Sequence, residues 1–117
     1  MSCKKFIAES FALGTAIRLL HLSSKSYAEH VALGEFYGGQ ADLIDQYAEV
    51  YMGLEKHVAN WPDAALPKGP AIQLLEDYLL NIESELVAEG QYESLKNILA
   101  EIETLTARTL YKLRNLK

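Results

Sequence analysis

The chain is poor in residues that cross-link or punctuate a fold. It has one cysteine, Cys3, so no internal disulfide can staple it, and only three prolines in 117 residues. No apolar run approaches the roughly 18 residues that a membrane-spanning helix needs, so neither a span nor a membrane partner is expected. Positive charge is scarce as well. Eleven Lys and Arg stand against 16 Asp and Glu, giving a net charge of −5. Such a surface repels phosphate backbones, so nucleic acid is not an expected partner. There is no alternating strand pattern, no internal repeat and no low-complexity segment. Gly38-Gly39 has neither a preceding strand nor a following lysine, which excludes a phosphate loop. No grouping of nucleophile, base and orienter supports a hydrolase.

What is present is an ordinary globular balance, 50% hydrophobic and 23% charged, enough for a single domain with one modest core. Its apolar residues recur at helical spacing in four segments. The first runs from about Lys4 to Leu22 with a stripe of Phe6, Leu13, Ile17 and Leu20. Ser23, Ser24 and Ser26 follow as N-cap candidates for the second, Tyr27 to Lys56. Gly38-Gly39 is its weak point, since each glycine costs about 1 kcal/mol against alanine inside a helix, and a kink there is an open alternative. The stretch HVANWPDAALPKG reads as an irregular crossover, after which Pro70 opens a third helix from Ala71 to Glu89. Ile72, Leu75, Leu79, Ile82 and Leu86 form its seam, and Gly90 is a C-cap candidate. The fourth helix, Tyr92 to Leu116, repeats the pattern with Leu95, Ile98, Ile102, Leu105 and Leu113. Two helical hairpins joined by a crossover of about 13 residues, able to span ~40 Å, predict an all-α four-helix bundle. The crossover lies between helices two and three and can run the bundle's length, the connectivity of ferritin-like folds.

The N-terminal stretch carries Glu9 and Arg18 among its apolar residues and lacks a small-residue cleavage site, so no signal peptide is expected. With the lone cysteine this reads as a cytoplasmic protein. Basic residues gather at the C-terminus (Arg108, Lys112, Arg114, Lys117), where cations suit the negative end of a helix dipole. Cys3 has no histidine or CxxC partner and is expected to be incidental. Trp61 is expected to plug the bundle end, with a subunit contact as the alternative.

The chemistry-bearing residues are His21, His30, Asp45 and Glu49. Imidazoles with carboxylates suit iron, manganese or zinc better than magnesium or calcium. Asp45 and Glu49 share a helix face at i,i+4, and the two histidines flank the first interhelical turn. From His30 to Asp45 a continuous helix covers about 22 Å, far beyond metal–ligand distances of about 2 Å. A two-fold axis resolves this: helix two packed antiparallel on its copy brings the histidine end of one chain to the carboxylate end of the other.

This spacing, with the local text DQYAEVYMGL, resembles the Dps-type miniferritins of the ferritin-like superfamily. The resemblance implies an intersubunit ferroxidase site in a homo-oligomer held by two-fold contacts of helix two. His21, His30, Asp45 and Glu49 would be its ligands, binding and oxidising Fe(II). A compact phage-encoded variant, acting in an infected bacterial host, would fit the short chain. A rival expectation belongs to another class: a metal-free helical interaction or structural protein, a virion component or host-directed adaptor, whose four polar residues are simply solvated.

Overall fold

The structure, a computed structural model, describes residues 3–117 as four helices: α1 (Cys3–Ser23), α2 (Tyr27–Leu54), α3 (Ala71–Ala88) and α4 (Glu93–Asn115). No helix is long and apolar enough to cross a membrane. Ser26 caps α2, its Oγ accepting from the Glu29 backbone N–H at 3.2 Å. The helix then runs unbroken through Gly38-Gly39. Packing explains the second glycine: a Cβ at Gly39 would lie 3.1 Å from Leu105 Cδ2, so its bareness lets α4 come close. Gly38 faces open space. The expected C-cap role of Gly90 does not hold, because its φ is not positive. Gly69 instead takes the left-handed region, at φ 135°, where the crossover turns into Pro70 and α3.

Each helix packs against two neighbours, in the cyclic order α1, α2, α4, α3, and the backbones of the diagonal pairs stay apart, α2 and α3 meeting only through side chains in the core. The crossover, residues 55–70, climbs along α1. Trp61 lines a groove with Ile7 and Phe11, Pro67 a cavity with Leu13 and Leu74, and Gly69 another with Leu20 and Ser23. It therefore travels the long dimension of a molecule 43 Å in extent and delivers α3 antiparallel to α1. Helices α2 and α3 end up parallel across a diagonal, which a short turn cannot connect. The all-α bundle with its long α2–α3 crossover is the expected one.

The inner stripes sit slightly rotated from the sequence seams. In α3 the buried set is Ala71, Leu74, Leu75, Tyr78, Ile82 and Glu85, with Ile72, Leu79 and Leu86 only partly covered. One polar network crosses the core. The Tyr78 hydroxyl donates to Ser10 Oγ at 2.9 Å, while Gln40 Nε2 donates to the Ser10 carbonyl at 2.8 Å. Gly14 makes room, since a Cβ there would meet Gln40 Oε1 at 2.8 Å. The basic end of α4 is tied down rather than free: Lys112 pairs with Glu35 and Arg114 with Glu76.

Candidate metal centre

His21 closes α1 and His30 opens α2, so the Ser-rich turn brings them together. Their rings stack with centroids 3.7 Å apart and planes 18° from parallel. His30 Nδ1 bonds the His21 carbonyl at 2.8 Å, and His21 Nδ1 bonds the His30 carbonyl in return. A carbonyl only accepts, so both Nδ1 atoms carry the proton. Gly34 lets His21 lie flat on α2, because a Cβ there would stand 3.0 Å from Cε1 of the ring. Tyr37 meets the ring edge-on and carries Arg18 over its own face.

Asp45 and Glu49 sit elsewhere, exposed on the C-terminal half of the same unbroken helix. They border a groove floored by Ile7, Ala8 and Ala48 and walled by Phe11, Met52 and Trp61. One chain thus brings the two histidines together and keeps both from the carboxylates. Trp61 is not a plug of the bundle end; it flanks this groove and stays 40% exposed.

A different group forms at the opposite end of the bundle from the histidines. Cys3 at the start of α1 meets Glu85 and Glu89 near the end of α3, with one ligand atom of each within 4.8 Å of the others. The antiparallel run of α1 and α3 creates this meeting. Cys3 is 5% exposed and Glu85 fully buried, so the cysteine is part of the core rather than an incidental terminal residue. From α2, the Tyr47 hydroxyl donates to Glu85 Oε2 at 2.7 Å. Among the described residues Glu85 Oε1 is a buried oxygen without a hydrogen-bond partner, and the Cys3 thiol beside this carboxyl is a further group acting on it. A buried lone pair left without a donor costs about 1–3 kcal/mol.

Electrostatics at this end favour neutral groups in the absence of a cation. Burial pushes the Glu85 carboxyl above its ordinary range, and the charge of Glu89 adds to that, while the Tyr47 hydrogen bond opposes it. Burial also raises Glu89, helped by nearby Glu55. The Cys3 thiol is pushed far up, mainly by burial.

The sequence pattern contained a signal for this site. Glu85 and Glu89 follow Tyr78 and Ile82 at spacings of four, three and four, so they occupy the α3 stripe where apolar residues belong. A carboxylate on an apolar stripe marks a polar interior. The cysteine carried no matching signal, because its partners lie more than 80 positions away.

Residues 21–113 match a family of unknown function, DUF5856, and the chain belongs to that family. No curated protein and no solved structure matches it. The match begins at His21, includes both glutamates and leaves Cys3 before its start. Membership gives neither an activity nor a ferritin relationship.

Proposed function

We propose that the chain binds a divalent transition-metal cation between Cys3, Glu85 and Glu89. The observation that carries this reading is the buried Oε1 of Glu85, without a hydrogen-bond partner among the described residues, on a carboxylate that lies in one group with a thiol and a second carboxylate. A metal would supply the missing partner. Tetrahedral ligands at bond lengths near 2.0–2.3 Å stand about 3.5 Å apart, so a group within 4.8 Å needs closure by roughly an ångström, within reach of side-chain rotation. Thiolate with two carboxylates suits zinc, ferrous iron or cobalt better than magnesium or calcium. Tyr47 would orient Glu85 from behind, as outer hydrogen bonds do for metal-bound carboxylates. Three protein ligands leave a fourth position for water or a small substrate.

Cobalt(II) titration of the purified chain tests this, because a cobalt–thiolate bond gives a near-ultraviolet charge-transfer band. The expected result is saturation at one cobalt per chain, with loss of the band in Cys3→Ser and of tight binding in Glu85→Gln. An absent band, or unchanged binding in both variants, would overturn the reading.

A second reading keeps iron at His21, His30, Asp45 and Glu49, across a two-fold between antiparallel α2 helices. What favours it is the histidine geometry: both Nδ1 protons go to carbonyls, which leaves each Nε2 lone pair for a ligand role. It requires a homo-oligomer. Sedimentation as a dimer or larger, with Fe(II) oxidation lost in Glu49→Ala, is its expected behaviour. A monomer without oxidation overturns it.

A further inference from the structure

The α1–α2 groove answers a question that the metal reading leaves untouched: what Asp45 and Glu49 do in a single chain. The groove encloses about 390 Å³, within the range of built binding clefts. Its walls are apolar, yet Phe11 remains 39% and Trp61 40% exposed. Large aromatic side chains left open along a concave surface mark a place for another molecule. Along its α2 lip stand Asp45 and Glu49, with Asp42 three positions earlier and likewise exposed. None of the three forms an ion pair among the described residues, whereas Glu35 and Glu76 elsewhere are each matched by a cation of α4.

We propose that this groove docks a basic amphipathic helix from a partner protein. The apolar face of that helix would lie against Phe11, Met52 and Trp61, and its Lys or Arg residues would pair with Asp42, Asp45 and Glu49. The form of the site favours a helix over other ligands. Two antiparallel helices offer a long trough, and a stripe of carboxylates at spacings of three and four covers about 10 Å, matching cations on successive turns of a docked helix. The acidic lip opposes anionic lipid and nucleic acid. This use of Asp45 and Glu49 is an alternative to an intersubunit iron site and needs no second copy of the chain.

The molecule carries its own reporter, since Trp61 is the single tryptophan. The probe is an 18-residue helical peptide of leucine and lysine, titrated in chelator-containing buffer while Trp61 emission is followed. The control peptide has glutamate in place of lysine. The expected result is a saturable blue shift with the lysine peptide and none with the glutamate peptide. Affinity should fall at least tenfold in Asp45→Asn/Glu49→Gln. It should be unchanged in Glu83→Gln/Glu101→Gln, which removes the same charge at exposed positions outside the groove. Equal loss in the two double variants would reduce the attraction to net charge and overturn the proposal. An unmoved Trp61 spectrum would overturn it too. So would concentration-dependent emission without peptide, which would make a second copy of the chain the occupant.

Discussion

Tyr47 and Glu85 form a buried hydrogen bond of 2.7 Å between α2 and α3, two helices that meet only through their side chains. The bond spans the bundle's diagonal and fixes one carboxylate oxygen, while the other has no hydrogen-bond partner among the described residues. Both side chains lie in the interior, so the arrangement decides the protonation state of the glutamate as well as the packing of this end.

The pH dependence of the metal-free protein follows from that burial. The Glu85 carboxyl is held above its ordinary value of 4.5, so the folded state binds the proton more tightly than the unfolded state. Its stabilising contribution is fully present below pH 4.5 and is lost as pH rises through the folded value. Glu85→Gln removes this loss while keeping an acceptor for Tyr47. Thermal melts of wild type and variant should converge in acid, and the variant should gain relative to wild type towards neutral pH. Parallel curves across that range would show that Glu85 does not titrate with folding.

Two glycines on one helix should respond to alanine with opposite signs. Gly38 faces open space, so Gly38→Ala should stabilise by about 0.5–1 kcal/mol through helix propensity alone. Gly34→Ala would press a methyl group to 3.0 Å from the His21 ring and break the histidine stack. Overpacking of this kind costs about 1–3 kcal/mol and outweighs the propensity gain. Urea midpoints read both effects, and a gain in both variants would show that the His21 ring moves away freely.

Tyr78→Phe removes the hydroxyl that donates to Ser10 and accepts from Gln40. Gln40 keeps its stronger bond to the Ser10 carbonyl, so the loss should be limited to about 1–2 kcal/mol in equilibrium unfolding. A loss near zero would mean that water replaces the hydroxyl.

Cys3 should resist thiol reagents. Its burial raises the thiol pKa and denies access, so iodoacetamide should label the folded protein far more slowly than the urea-unfolded one. Equal rates would place the thiol in contact with solvent and remove it from the proposed metal group.

The sequence by itself determined the four helices to within about two residues at their ends, because apolar periodicity, Ser26 and Pro70 are local signals that act within one or two turns. It also placed the two histidines on either side of a short serine-rich turn, whereas the stacking of their rings was decided by the packing of α1 on α2. The charge deficit and the long crossover were legible for the same local reasons.

Tertiary structure alone decided the rest. The spacing within α3 puts Tyr78, Ile82 and Glu85 on one stripe, but the rotation that turns this stripe inward depends on how α1 and α4 fill the space beside it. Cys3 meets Glu85 and Glu89 only because the crossover returns the chain antiparallel to α1. Asp45 and Glu49 became the lip of a groove because Trp61, from a segment without periodicity, settled against α1. Helical propensity and amphipathic spacing operate over a few residues, whereas a site made of distant side chains exists only after helix packing has fixed which faces touch.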